Sequence, residues 1–579
     1  MPRCAAQRFA ALCLTLWLGA APVAVGAGIE VTIAGVEGDL RDNVVAFIDD
    51  RVDLDSPLAA RLHRTRVEEQ VREALEALGH YQADIAISLE ERDGQWHLDL
   101  EIDPGPRVTL RMVNVVIRGD GADDGAFERL RERLPIASGD GLDHGRYEAS
   151  KRALRSLARE RGYFDHEFTT ARLAVHGEEG WADAELVFDT GSRYVFGPVK
   201  FSDSPFREAF LERLVPFESG MPYDAGEVST FNTRLLESGY FEDARVDVAA
   251  DEPDNRQIPV NAEVETRQRN TVSTGVGYST DEGPRLRLGF TRHYVNDRGH
   301  RLTAESRFSE VRQALDARYE IPLSDPLRDN LTVSTGWENE EVDDLRSERY
   351  SLGVSRRQQF NSGWVRTQSV RLLDERFSVG AESGRSQLFL PGLSFSRTRS
   401  RGEPDPHWGD RQDYSLEAGA REILSDVDIA RLRVGHTWLR TAGEGHRFQL
   451  RGDLGGIATN EFSDVPTSLR FFAGGDQSLR GFAFRSLGPT DDDGDVVGGR
   501  YLATGSAEYS YPVVGGWRMA AFVDAGNAFD QLDEVDPEVG VGFGVRWRSP
   551  VGPLRIDLAW GVSRDDNPLR LHLSVGPPF

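Results

Sequence analysis

Cysteine is almost missing. The 579 residues contain two, Cys4 and Cys13, and both precede residue 28. The remainder can hold no disulfide framework and no thiol nucleophile. Long apolar runs are as scarce: the one such stretch, Phe9 to Ala24, is too short and wrongly flanked for a spanning helix. Basic charge is in deficit, with 68 Lys and Arg against 95 Asp and Glu, a net of −27. That balance argues against nucleic-acid binding, which needs a basic patch, and against docking on anionic lipid headgroups. Catalytic signatures are missing too: there is no Gly-x-Ser-x-Gly elbow, no His-Glu-x-x-His pair and no Cys-x-x-Cys. His166-Glu167 lacks the second histidine of a zinc site. Asp491-Asp492-Asp493-Gly494-Asp495 lacks the alternating ligands and closing glutamate of a calcium loop, and reads as solvated acidic surface. No catalytic residue, metal ligand or cofactor site is expected.

What is present begins with a secretory signal over residues 1–27. Arg3 and Arg8 supply a basic start, the apolar run follows, and Val25-Gly26-Ala27 offers small residues for cleavage. An exported, acidic, hydrophilic chain is either a soluble secreted protein or an outer-membrane barrel, whose strands hide apolar residues by alternation.

Three stretches repeat one pattern: Leu75 to Tyr81, Leu157 to Phe164, and Leu235 to Phe241. Their glycines, Gly79, Gly162 and Gly239, recur at about 80 residues, a domain-sized period. An amphipathic helix precedes each, with Val67, Val71, Leu75 and Leu78 striping the first and Val228, Phe231 and Leu235 the third. The glycine supplies the left-handed residue that ends the helix. Strands follow, such as Asp84 to Leu89, and new units open near Val108–Ile117 and Tyr194–Phe201. A helix leading through Gly-Tyr-Phe into paired strands resembles the polypeptide-transport-associated (POTRA) domain. Three copies would occupy 28–106, 107–191 and 192–266; three small α+β modules of unrelated purpose remain the alternative.

Over residues 267–579 the period changes to two. Val539, Val541, Phe543, Val545 and Trp547 alternate with Gly540, Gly542, Gly544, Arg546 and Arg548, and the last strand sets Leu569, Leu571 and Leu573 against Arg570, His572 and Ser574. A soluble sandwich would show the same local signal. Polar and small residues on one face suit a wet lumen, however, and Trp517, Trp547 and Trp560 fall towards segment ends, where aromatic girdles sit. The expected fold is thus three α+β repeat domains followed by an antiparallel transmembrane barrel of about 16 strands.

Phe472 to Phe482 is the most unusual stretch. By composition alone it is as readily a surface hairpin loop with a solvated arginine as a fixed ionic site. Its core, Arg480-Gly481-Phe482, resembles the loop motif of the POTRA-plus-barrel outer-membrane assembly superfamily, with Gly474, Gly475 and Ser478 ahead of it. Phe522-Val523-Asp524-Ala525-Gly526 resembles that family's wall motif. The resemblance implies a loop folded back into the lumen, its arginine meeting wall carboxylates. Alternation puts Asp524 and Glu508 on the lumen face.

Three repeats, Gly275 to Arg285 at the barrel entry, and Asp557-Leu558-Ala559 resemble the TamA branch. That resemblance implies unfolded outer-membrane or autotransporter-type clients, contact with outer-membrane lipid, and an inner-membrane-anchored, TamB-like periplasmic partner. A barrel closes by pairing its first and last strands. Here Gly275 and Gly277 weaken the first, while Pro577 and Pro578, before Phe579, lack donors in the last. A seam that opens to template a client strand is expected; a frayed terminus explains the prolines as well. A two-partner-secretion transporter or gated diffusion pore is the competing reading.

Overall fold

The computed structural model describes residues 29–48, 54, 56–92, 95–249, 255–402, 405–443, 445–533, 535–549, 552–564 and 568–575. The expected signal segment, Pro577, Pro578 and Phe579 lie outside the described residues. Two compact units divide the chain, one drawn from 1–196, 220–226 and 253–258, the other from 197–219, 227–252 and 259–579.

The first repeat is β1 (Glu30–Ala34), α1 (Gly38–Phe47), α2 (Pro57–Ala77), β2 (Asp84–Arg92) and β3 (Gln95–Asp103). Central β3 pairs parallel with β1 and antiparallel with β2. Ser56 caps α2 by accepting the Ala59 N–H at 3.1 Å, with Pro57 in the first turn. Gly79, at φ 92°, ends it. Val67, Val71 and Leu75 are buried against Leu98, Leu100 and Ile102 of β3, each worth about 1.5–3 kcal/mol. Leu78, expected in the same stripe, is only half-buried.

The second repeat has the same plan: β4 (Thr109–Arg118), α3 (Gly125–Arg131), α4 (His144–Glu160), β5 (Glu167–His176) and β6 (Trp181–Asp189), with β6 central. Asp124 ties its parts together. Its carboxylate caps α3 through the Ala126 N–H, and accepts from Arg161 Nε at 2.6 Å and the Tyr163 hydroxyl at 3.2 Å. Burial alone would raise the Asp124 carboxyl, but these donors outweigh it and hold it below its usual range.

The third repeat comprises β7 (Val195–Phe201), α5 (Glu208–Leu211), α6 (Ala225–Glu237), β8 (Phe241–Val248) and β9 (Gln257–Thr266). Within the second unit, Phe206, Phe210 and Tyr240 meet Tyr294 of a barrel turn in an edge-to-face cluster with centroids 5.1–5.3 Å apart. The Tyr240 hydroxyl donates to Gly299 O at 2.6 Å, and Arg234 pairs with Asp325 at 3.1 Å. Two turns of the barrel are therefore fastened to this repeat.

Sixteen antiparallel strands follow in chain order. They begin with β10 (Asn270–Ser279), β11 (Gly283–Arg292), β12 (Arg301–Phe308), β13 (Arg312–Pro322), β14 (Asp329–Val342) and β15 (Leu345–Gln359). Next come β16 (Val365–Val379), β17 (Glu382–Arg401), β18 (Trp408–Gly419), β19 (Ile429–Ala442) and β20 (His446–Thr459). The last are β21 (Tyr501–Val514), β22 (Trp517–Phe529), β23 (Glu538–Ser549), β24 (Gly552–Gly561) and β25 (Leu569–Val575). Apolar residues such as Leu352, Leu393, Leu450 and Leu571 stand exposed on the outer face. Trp517 and Trp547 stack at 5.0 Å at the barrel end where β10 begins.

The sheet curls almost to closure. Among the described residues β10 and β25 share no ladder; the Leu573 N–H donates instead to Thr280 Oγ1 at 3.4 Å. The side chains of β10 are exposed along its whole length up to Ser279.

Candidate functional site

Residues 460–500, between β20 and β21, fold back into the lumen. The stem is held by bridges from Phe471 to Gly499 and Ala473 to Leu487. Arg470 fixes it further, donating to the carbonyls of Ser463, Val465 and Val497. Leu479, Phe482 and Leu487 are buried with Leu373, Leu388 and Leu390 of the wall. The lumen is not wet throughout: inward leucines of β16 and β17 meet the loop's own apolar residues and exclude water there.

The motif glycines make this approach possible. Gly474, Gly475 and Gly481 have φ of 97°, 98° and 98°. A Cβ on Gly481 would lie 2.8 Å from Gly561 N, and one on Gly540 of the wall 1.9 Å from Arg480 O. Gly540→Ala should therefore push the loop off the wall while leaving every charge in place. Limited trypsin digestion of the folded barrel should then cut within 460–500; unchanged protection would show the approach to be yielding.

Arg480 is 5% exposed. Its Nε and Nη2 donate to the two oxygens of Asp524 at 2.7 and 2.8 Å, and its backbone N–H donates to Asp524 Oδ2 at 3.0 Å. Nη1 reaches Glu508 at 2.8 Å and Asp557 at 3.3 Å, and Nη2 reaches Ser506 Oγ at 3.2 Å. The guanidinium lies 3.4 Å from the centre of the Phe522 ring. Arg546 of β23 spans the same two acids, pairing with Glu508 at 2.7 Å and with Asp557. The result is two cations sharing three carboxylates, shielded from water and hydrogen-bonded throughout.

Ser478 takes part through its backbone, its carbonyl accepting from Arg451 Nη2 at 2.8 Å. The loop also touches both sides of the seam. His572 of β25 accepts the Gly481 N–H at 3.1 Å, and Asp281, just after β10, accepts the Asp476 N–H at 2.8 Å. On the far wall Arg485, at φ 56°, pairs with buried Glu340 of β14 at 3.1 Å. Glu375 of β16 accepts Thr467 Oγ1 at 2.9 Å and the Ser468 N–H at 3.1 Å. Alternation alone could have found Asp557, Arg546 and His572, which share the lumen phase of their strands. Asp281, Arg485 and Glu340 carry no such signal, since two lie in connections and the third is one of many wall acids.

Of the seam residues, Gly275 and Gly277 are exposed on β10. An added Cβ on either would come no nearer than 3.8 Å to a neighbour, so their effect on pairing is conformational freedom rather than lack of room. The prolines and Phe579 lie outside the described residues.

Residues 254–579 match the family model for the Omp85 superfamily domain. The chain belongs to the Omp85 superfamily. Residues 30–104 match a POTRA model described as TamA domain 1, and 194–267 a POTRA model described as a surface antigen variable number repeat. The outer membrane protein assembly factor BamA of Nitratidesulfovibrio vulgaris is 24% identical over 385 residues, covering 62% of this chain and 47% of that one. The BamA of Neorickettsia risticii is 22% identical over 539 residues, covering 85% and 69%. The chain thus spans about half the length of the first of these relatives. The crystal structure of Haemophilus ducreyi BamA lacking POTRA domains 1–3 shares the fold, with a TM-score of 0.68 at 16% identity over 81% of this chain and 99% of that one. This Omp85 protein is an outer-membrane barrel with periplasmic POTRA domains.

Proposed function

We propose that this Omp85 protein is the outer-membrane subunit of a TamA-type translocation and assembly module. On this reading the POTRA domains take 28–106, 107–191 and 192–266, and Arg480 with Asp524 and Glu508 sets the position of the lumenal loop. Clients are unfolded outer-membrane proteins of the autotransporter type. A TamB-like protein anchored in the inner membrane docks on the first POTRA domain, and outer-membrane lipid surrounds the exit route. The observation that carries the reading is the junction of β10 and β25, unladdered among the described residues and bridged by a loop that holds both sides. An unpaired edge templates a further strand, the hazard that ordinary barrels abolish by closing. The TamA-type match over residues 30–104 supports the branch.

Liposomes carrying the purified protein should accelerate folding of a urea-denatured autotransporter barrel, read as protease-resistant, heat-modifiable product. Folding no faster than in empty liposomes, together with a steady large conductance in planar bilayers, would replace this reading with that of a diffusion pore.

A further inference from the structure

The outer face of the barrel carries a cationic cluster at its periplasmic end, on the wall opposite the seam. β17 runs towards the periplasm and β18 returns from it, and these are the middle strands of the sixteen. Outward residues of β17 are apolar at Leu393 and Phe395, which stand exposed, and then turn to Arg397, Arg399 and Arg401. Arg366 of β16 and Arg440 of β19 share that face by strand register.

The crowding needs an explanation. The guanidinium carbons of Arg399, Arg401 and Arg440 lie 5.5, 5.0 and 4.7 Å from the centre of one ring, Trp408, and that of Arg397 lies 5.8 Å from Trp364. Among the described residues one carboxylate answers them: Asp410, 1% exposed, holds Arg399 at 2.8 Å and lies 3.8 Å from Arg440. Among the described residues Arg366, Arg397 and Arg401 have no ion pair, and the Nε atoms of Arg366 and Arg397 are buried without a partner. Cations gathered this closely on a chain of net charge −27 repel one another unless an anion joins them.

We infer that this arginine–tryptophan cluster on β16–β19 binds the phosphate of an anionic phospholipid in the periplasmic leaflet. Guanidinium forks match phosphate oxygens two at a time, and tryptophan belongs at headgroup depth. Leu393, Phe395, Leu416 and Leu432 continue the same face as an exposed apolar strip for the acyl chains. The global acidity that argues against headgroup docking is an average over the chain; on this face the local balance is reversed. A lipid held here fixes the wall farthest from the seam, so that motion concentrates at β10 and β25.

The test uses the full-length protein in detergent, titrated with dioleoylphosphatidylglycerol or dioleoylphosphatidylcholine and read by native mass spectrometry. Wild type should retain phosphatidylglycerol at least about tenfold more tightly than phosphatidylcholine. Arg366→Gln/Arg397→Gln/Arg401→Gln, which removes no ion pair among the described residues, should lose most of that preference while keeping a heat-modifiable barrel. Arg401→Gln alone should weaken retention about fivefold. Arg385→Gln, on the same face at the other end of β17 and paired with Asp374 at 2.6 Å, should leave it unchanged. Equal retention of the two lipids by wild type, or of phosphatidylglycerol by wild type and both cluster variants, would overturn the assignment.

Discussion

Arg480→Ala frees the lumenal loop and lowers the melting point of the barrel by on the order of 10 °C, read as the heat-modifiable gel shift in detergent. The size follows from what is left behind. Asp524 is fully buried, and Glu508 and Asp557 are nearly so. With the guanidinium gone, Arg546 still pairs with Glu508 and Asp557, but Asp524 loses both side-chain donors. Stranding a buried charge in this way costs about 3–5 kcal/mol. Arg480→Lys should rescue little, since a point charge cannot satisfy both Asp524 oxygens and stack on Phe522 together. The loop released by either change also lets go of His572 and the Asp476–Asp281 contact, so client assembly should fall with it. A variant with wild-type melting and wild-type assembly would leave the cluster without the role proposed for it.

Closing the seam covalently should abolish client insertion. The Leu573 N–H and Thr280 Oγ1 are 3.4 Å apart, which brings β25 and the turn after β10 within reach of a cross-link. The paired variant Thr280→Cys/Leu573→Cys has no competing thiol beyond residue 27. When oxidised, it should leave the barrel folded and stop insertion in liposomes; reducing agent should restore it. Each single-cysteine variant should behave as wild type. Insertion that continues through a quantitatively oxidised seam would remove strand opening from the mechanism, whatever the fate of the loop. The expected effect is large because an edge must be free along its length to template a partner strand.

The two results are connected through one short segment. Gly481 sits between Arg480, clamped to β21, β22 and β24, and Phe482, buried in the lumen, and its N–H is the group that meets His572 on β25. Asp476, four residues before Arg480, reaches the β10 side. A displacement of the arginine is therefore felt at both borders of the seam without a ladder between β10 and β25 among the described residues.

Local pattern made much of this visible in advance. Period-two alternation in Val539 to Arg548 marks a strand with unlike faces, because successive Cβ atoms point to opposite sides. The same rule put Asp524 and Glu508 on the inner face, and the glycines after each amphipathic helix marked the repeats through their positive φ. Alternation assigns a side and no partner. Asp557 and His572 lie 77 and 92 residues beyond Arg480, and only barrel curvature brings them to one point; Arg485 meets Glu340 across the lumen for the same reason. The dry interior went unread because inward leucines count as exceptions to a polar face until a loop arrives to cover them. So the order of the residues, by itself, determined which elements form and which way each side chain faces, since both are set by chemistry within a few residues. Which charges share one cluster, which strands lack a ladder among the described residues and which arginines crowd one tryptophan were decided by tertiary structure alone, because these depend on distances that closure of the sheet creates.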